Sequence, residues 1–357
     1  MLITIHDSAS SEDCTQLMTL VRRIAGSQHP VTTTRIGNRK IIALDHKQID
    51  PQAVVMLEQQ HTVERVHILN TPYQLVSRAF HPEPGGIVIG DNRRSESIAI
   101  GGTSAIPVII AGPCAVEHRE QLLTTARAVK AAGAHVLRGG AFKPRTSPYQ
   151  FQGLGIEGLR LLAEAREETG MPVISEVMEP GLVDTVAEYV DILQIGSRNM
   201  QNFPLLQAVG QHPRKLPVLL KRGLSSTIDE WLLAAEYIVA AGNANVILCE
   251  RGIRSYDSQT RNVLDLTCIP LLQQLTHLPV IVDPSHATGK RELVPAMSRA
   301  SVAAGAHGLI IEVHPDPNNA LCDGRQSITP AQLQCIVRTT CLVAAMMQEE
   351  EDLTHVA

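Results

Sequence analysis

From residue 106 onward, apolar positions gather into eight short runs, at 108–111, 135–137, 173–175, 192–195, 218–220, 246–248, 280–282 and 309–311. Between them lie longer stretches of helical spacing, at 117–132, 156–169, 180–189, 203–209, 227–241, 264–275 and 290–304, and a last helix is predicted from 330 to about 347. The short runs read as strands and the periodic stretches as helices that cover them. Eight βα units in roughly 240 residues fit a (β/α)8 barrel, whose usual size is about 250 residues. An open doubly wound sheet is the architectural alternative. The count of eight, and a polar residue of functional type after nearly every run, favour the barrel.

Ahead of residue 85 the pattern changes. Residues 2–6 alternate like a strand, and Ser11-Glu-Asp13 opens a helix to about Ala25 with Leu17, Leu20, Val21 and Ile24 at helical spacing. The β-branched stretch 31–35 and the apolar stretch 40–44 flank Gly37-Asn38 and predict a hairpin. A short helix at 51–59 and a strand at 63–69 complete the order βαββαβ, a ferredoxin-like pattern. Such units often bind small ligands or pair with copies of themselves. His81-Pro-Glu-Pro-Gly-Gly86 is rich in breakers and predicts a linker. Residues 87–91 and 97–101, around Asn92-Arg-Arg94, predict a hairpin that covers one end of the barrel. The expected organisation is a small N-terminal unit at 1–84, linker and hairpin at 85–104, the barrel at 105–348 and an acidic, frayed tail at 349–357.

Composition narrows the partners. Of 357 residues, 44% are hydrophobic and only 3% aromatic, so Val, Ile, Leu and Ala must fill a sizeable core. A net charge of −5 argues against nucleic acid or an anionic membrane as the main partner, and makes any cationic cluster a local feature. Seven cysteines without a CxxC pair, and no secretory leader, predict reduced thiols in the cytoplasm. No apolar run approaches the roughly 20 residues of a membrane span.

Barrel enzymes carry their chemistry at the C-terminal ends of the strands. There the chain places Cys114, Arg138, Glu176, Arg198, Lys221, Glu250-Arg251, Asp283-Pro-Ser-His286 and Glu312, with Asp323 in the last loop. The loop Arg138-Gly-Gly-Ala-Phe-Lys-Pro-Arg-Thr-Ser-Pro148 alone brings Arg138, Lys143 and Arg145 beside Thr146 and Ser147. Arg138, Lys143, Arg145, Arg198, Lys221 and Arg251 would repel one another unless a highly anionic ligand neutralised them. Two phosphates and a carboxylate, gripped bidentately by arginines, would do so. Cys114, His286, Glu312 and Asp323 form a mixed set of one thiolate, one imidazole and two carboxylates. That set suits a first-row transition ion such as Mn, Fe, Co or Zn better than Ca or Mg, in the role of a Lewis acid polarising a carbonyl.

Together, Ala-Gly-Pro-Cys114, the 138–148 loop, Gly196-Ser-Arg-Asn199, Cys249-Glu-Arg-Gly252, Asp283-Pro-Ser-His286 and Glu312-Val-His314 resemble 3-deoxy-D-arabino-heptulosonate 7-phosphate (DAHP) synthase over residues 106–345. The N-terminal unit resembles the ferredoxin-like (ACT-like) regulatory extension of the short type of that enzyme. The resemblance implies condensation of phosphoenolpyruvate with erythrose 4-phosphate. It puts Cys114, His286, Glu312 and Asp323 on the metal, and Arg138, Lys143, Ser197, Arg198, Lys221 and Arg251 on phosphoenolpyruvate. Arg145, Thr146 and Asp283 fall to erythrose 4-phosphate. Apart from the resemblance, Lys143 is read as the proton donor to the forming alkoxide and Glu176 as the holder of the attacking water. The resemblance further implies a homo-oligomer, dimer or tetramer, inhibited by tyrosine or phenylalanine. Ser197 departs from the Ala of many members. The sister enzyme that makes 3-deoxy-D-manno-octulosonate 8-phosphate from arabinose 5-phosphate typically reads Lys-Ala-Asn-Arg-Ser where this chain has Lys143-Pro-Arg-Thr146. A non-catalytic effector-binding barrel would be expected to have lost a ligand or a phosphate-gripping Arg, and none is lost.

Overall fold

Each of the eight apolar runs becomes a strand, each pairs in parallel with the next, and the last closes on the first. The computed structural model describes residues 1–26, 29–36, 39–45, 49–90, 97–104 and 106–355, with side chains as far as Glu349. The expected turns at Gly37-Asn38 and Asn92-Arg-Arg94, and the tail side chains beyond Glu349, lie outside them.

The chain begins with β1 (Leu2–Ile5), α1 (Ser11–Ala25), β2 (Val31–Ile36), β3 (Arg39–Leu44), α2 (Pro51–Glu58) and β4 (Val63–His67). Their sheet runs β2-β3-β1-β4, all antiparallel, which is the ferredoxin-like arrangement. Ser10 and Asp13 form a reciprocal cap at the start of α1. Leu17 and Val21 then pack with Ile3, Ile42 and Leu57 into a small core of their own.

The segment that follows β4 is tied to the barrel both before and within its breaker-rich part. Arg78 N–H donates to Leu275 C=O at 2.8 Å, Ser77 bridges to Thr276, and Gly85 N–H donates to His277 C=O at 2.8 Å. It leads into β5 (Gly86–Ile89) and β6 (Ile98–Gly101), paired with Ile87 opposite Ile100. Ile87, Ile89 and Ile100 pack against Val108, Ile110, Val136, Ile174 and Leu219 at the N-terminal end of the barrel, so the hairpin covers that end as expected.

The barrel strands and helices are β7 (Val108–Gly112), α3 (Arg119–Ala131), β8 (Val136–Arg138), α4 (Ile156–Thr169), β9 (Val173–Glu176), α5 (Val183–Tyr189), β10 (Ile192–Ile195), α6 (Phe203–Gln211), β11 (Val218–Lys221), α7 (Ile228–Ala240), β12 (Val246–Glu250), α8 (Cys268–Leu275), β13 (Val280–Val282), α9 (Pro284–Thr288), α10 (Val294–Ala303), β14 (Gly308–Glu312) and α11 (Pro330–His355). Strand pleating divides the core. In β7, Val108 and Ile110 join the apolar filling of the barrel, whereas Ile109 and Ala111 join the layer beneath the helices.

Helix boundaries differ where side chains capture the backbone. α8 starts at Cys268 instead of 264, because Val263 exchanges backbone hydrogen bonds with Ile253 and Asp265 pairs with Arg222 at 2.8 Å. α10 starts at Val294 instead of 290, because Arg291 N–H is drawn to Arg325 C=O. α11 continues past the expected stop near 347 to His355, through residues that are mostly good helix formers.

Candidate active site

Cys114 follows β7, His286 rides on α9, Glu312 ends β14 and Asp323 stands in the loop beyond it. Sγ, an imidazole nitrogen and two carboxylate oxygens from these residues all lie within 4.8 Å of one another. The five-residue helix α9 explains how His286 is aimed. Asp283 caps it, with Oδ1 accepting the His286 N–H at 2.9 Å and Oδ2 contacting Nδ1 at 2.8 Å. The second ring nitrogen, Nε2, is left 3.3 Å from Glu312 Oε1. A carboxylate behind an imidazole is the usual way to fix which nitrogen faces a metal. Glu312 Oε2 accepts from Gln326 at 2.6 Å, but Oε1 is buried and accepts no hydrogen bond among the described residues. A buried carboxylate oxygen that accepts no hydrogen bond, within a four-donor cluster, fits a divalent ion.

The electrostatics agree. Burial holds the His286 imidazole down at about 4, against the pull of Asp283 and Glu312, so near neutral pH it offers a lone pair. Burial works to raise Asp323, but His286, Arg261 and Lys143 outweigh it and bring the carboxyl to about 2. Burial likewise works to raise Asp283, and His286 and Lys221 hold it well below the usual carboxylate range.

Around this cluster stands the cationic set. Arg138 is 4% exposed, with Nη2 3.2 Å from Glu312, while Nε and Nη1 have no hydrogen-bond partner among the described residues. Buried guanidinium N–H groups left unpaired cost free energy that a bound anion would recover. Lys143 Nζ lies 3.1 Å from both the carbonyl oxygen and Sγ of Cys114. Burial opposes its charge, and Cys114 and Cys322 more than restore it, so the ammonium is held above its ordinary value. Arg138, Lys143, Arg145, Thr146, Glu176, Ser197, Arg198, Lys221, Arg251, His286 and Asp323 line one cavity of about 420 Å³. Gly196 makes room within it, since a Cβ there would fall 2.1 Å from Glu176 Oε1.

Asp283, expected at erythrose 4-phosphate, does not line the cavity. It is fully buried, its oxygens engage His286 and Lys221, and it lies behind the cavity wall. Its position one residue after β13 sends it inward to cap α9, so it orients two site residues.

Several cavity residues were missed by sequence reasoning. Arg254 and Arg261 add two cations, and Arg261 Nη1 donates to Gln326 at 2.9 Å. Gln194 donates to Glu176 at 3.3 Å, and its signal was visible as the one polar position in Ile192-Leu-Gln-Ile195. Cys322 lies against Cys114 and accepts from Arg145 Nη1 at 2.6 Å. Glu250, already placed at its strand end by the sequence, stands outside the cavity lining and holds the Arg251 loop by accepting the Gly252 N–H at 2.6 Å and Arg222 at 3.0 Å.

A family model described as the DAHP synthetase I family matches residues 87–349. The chain belongs to the DAHP synthetase I family. Among curated relatives, phospho-2-dehydro-3-deoxyheptonate aldolase of Thermotoga maritima is 45% identical over 334 residues, covering 92% of this chain and 93% of that protein. The 2-dehydro-3-deoxyphosphooctonate aldolase of Syntrophotalea carbinolica is 31% identical over 277 residues, 72% of this chain and 98% of its own. The crystal structure of the Thermotoga maritima DAHP synthase superposes with a TM-score of 0.74 at 42% identity, covering 97% of each chain. A truncated form of the Thermotoga maritima enzyme covers 77% of this chain with a TM-score of 0.69 and 46% identity. Among the described residues, no helix is long and apolar enough to cross a membrane.

Proposed function

We propose that this protein condenses phosphoenolpyruvate with erythrose 4-phosphate and water to give DAHP and phosphate, the step that opens the shikimate route to aromatic amino acids. The observation that carries the reading is Arg138, a buried guanidinium with two unpaired nitrogens beside a four-donor cluster. Cys114, His286, Glu312 and Asp323 would hold an ion of the Mn, Fe, Co or Zn type, which when bound supplies Lewis acidity toward the aldehyde oxygen. Arg138, Arg198, Lys221 and Arg251, with Ser197, grip the carboxylate and phosphate of phosphoenolpyruvate. Arg145 and Thr146 take the phosphate of erythrose 4-phosphate. Lys143, kept protonated, gives its proton to the oxygen that becomes the new alcohol. Glu176 holds the water that adds to C2 before phosphate leaves. Asp283 keeps His286 and Lys221 in register.

The octulosonate enzymes are the neighbouring reading. Lys143-Pro-Arg-Thr146 and the relative that matches 92% of the chain at 45% identity favour the heptulosonate reaction. The test is loss of phosphoenolpyruvate with erythrose 4-phosphate or arabinose 5-phosphate, with and without EDTA. Turnover with the four-carbon sugar alone, abolished by EDTA and restored by Mn²⁺, is expected. Preference for the five-carbon sugar would overturn the assignment.

The described residues among 1–84 contribute none of the cavity residues. We read them as the feedback sensor of a cytoplasmic homo-oligomer, dimer or tetramer, that responds to tyrosine or phenylalanine. A chain starting at Gly85 is expected to stay active and lose inhibition by either amino acid. Equal inhibition of both chains, or none of the full chain, would leave the unit a purely structural part.

A further inference from the structure

The two oxygens of Glu312 keep different company. Oε1 lies 3.3 Å from His286 Nε2, and Oε2 accepts from Gln326 Nε2 at 2.6 Å. That is the one hydrogen bond the carboxylate accepts among the described residues. Gln326 is 3% exposed, and the other end of its amide accepts from Arg261 Nη1 at 2.9 Å. A guanidinium only donates and an ionised carboxylate only accepts. A glutamine between them satisfies both in one amide orientation and neither in the other. Arg261 comes from the loop after β12, which is seated firmly on α9. Arg261 N–H donates to Thr288 C=O at 3.0 Å, Asn262 N–H to Ala287 C=O at 2.8 Å, and Asn262 Nδ2 to the His286 carbonyl at 3.1 Å. Gly289, at φ 67°, admits the Arg261 stem, since a Cβ there would fall 2.7 Å from Arg261 Cβ. Arg261 Nη1 also stands 3.7 Å from Asp323 Oδ2. One side chain thus faces one carboxylate of the four-donor cluster and, through Gln326, holds the other.

We propose that Gln326 and Arg261 are positioning residues of the metal site. Gln326 occupies Oε2 of Glu312, so that Oε1 is the oxygen left for the ion, and Arg261 fixes which way the Gln326 amide points. The proposal rests on the reading of Cys114, His286, Glu312 and Asp323 as metal ligands. A competitor shows why such a tie is needed. Arg138 Nη2 is 3.2 Å from Glu312 Oε1, and its Nε and Nη1 have no hydrogen-bond partner among the described residues. A Glu312 carboxylate released from Gln326 can turn about its last bond and meet that guanidinium with both oxygens. The turn would take Oε1 from the ion and Arg138 from the substrate. Second contacts of this kind commonly set the affinity of a metal site.

The experiment uses the full chain stripped with EDTA, and titrates Mn²⁺ into it by calorimetry. Denaturant melts of the stripped proteins show that each variant is folded. Gln326→Leu keeps most of the volume and removes both hydrogen bonds, and is expected to weaken Mn²⁺ binding by about 10–100-fold. Arg261→Met gives the sharper test, because two accounts differ in sign. A cation close to a metal site repels the ion, so an Arg261 that acted by charge alone would, once removed, let Mn²⁺ bind more tightly. Positioning predicts weaker binding, recovered in large part by Arg261→Lys, which keeps a donor for Gln326. Since both residues act through one amide, the double variant Arg261→Met, Gln326→Leu should bind about as Gln326→Leu does alone. Parent-like Mn²⁺ affinity in Gln326→Leu overturns the proposal. Unchanged or tighter binding in Arg261→Met, or additive losses in the double variant, overturns the part given to Arg261. Should Gln326→Leu fail to fold, Arg261→Met decides, since that side chain is 38% exposed. Failure of the parent itself to bind Mn²⁺ would overturn the metal reading and this proposal with it, an outcome distinct from parent-like binding by the variants.

Discussion

The two ends of the barrel are built from the same strands and obey opposite rules. At the lower end, Val108, Val136, Ile174, Ile192 and Leu219 point inward onto the isoleucines of a hairpin. At the upper end the barrel strands finish in Arg138, Glu176, Lys221, Glu250 and Glu312, all of them buried charges. The interval between filling and chemistry is only a residue or two along each strand. Aliphatic burial below supplies stability that is indifferent to ligands. The charges above are held in pairs whose desolvation cost offsets much of their attraction, so they are better explained by function than by stability.

The comparison can be broken from above first. Arg138→Ala should lower kcat/KM by about 3–5 kcal/mol, roughly two to four decades, since it removes a buried cation and strands Glu312. Steady-state kinetics with both substrates checks this, and activity within a factor of ten of the parent would remove Arg138 from the reaction. From below, Ile89→Ala or Ile100→Ala should cost about 2–5 kcal/mol of unfolding free energy. Denaturant melts measure the loss, while kcat/KM at low temperature should stay near the parent's. A parallel fall in kcat/KM would mean that the ends are not independent.

Arg145→Ala sharpens the picture within the mouth. Losing one charge-assisted contact costs about 1.5–3 kcal/mol, which should appear in the KM for erythrose 4-phosphate and barely in that for phosphoenolpyruvate. An equal rise in both constants would place Arg145 on the other phosphate. The smallest expected effect compares a histidine from each end. Burial lowers His277, at the lower end, to about 3 and His286 to about 4. Both are neutral when folded at pH values where the unfolded chain, with its ordinary value of about 6.5, takes up protons. Their contribution is therefore complete above about pH 6.5 and is lost as pH falls toward the folded values, by about 2 kcal/mol each between pH 6.5 and 5. Unfolding free energy of the metal-free protein against pH, for the parent and His277→Gln, is the check. Parallel curves would remove the His277 share.

The barrel was legible because a buried parallel strand has no polar face, so its run of apolar residues stands out. The candidate site was legible for the same reason: the polar residues after most runs fall at the mouth, Asp283 excepted. Closure was not, because an open sheet would show the same runs. α9 escaped because five residues carry no periodicity, and with it went the inward turn of Asp283. Arg254, Arg261 and Cys322 sit in irregular loops, where spacing says nothing about direction. The 81–86 segment misled in an instructive way. Proline and glycine announce the absence of regular structure, but not whether nearby N–H groups stay in water or, as at Gly85, find a carbonyl on the barrel.

The isoleucine hairpin has a kinetic consequence. With the lower end covered, substrates arrive and products leave through the mouth. Arg138 and Lys143 lie at its floor, 4% and 7% exposed, whereas Thr146 stands exposed at its rim. A molecule seated at the floor must enter before one seated at the rim, and the second occupant bars the first from leaving. With the substrate positions proposed above, turnover through such a vestibule is expected to follow a compulsory order. The rim substrate, supplied in excess to the empty protein, is then expected to become its own dead-end inhibitor.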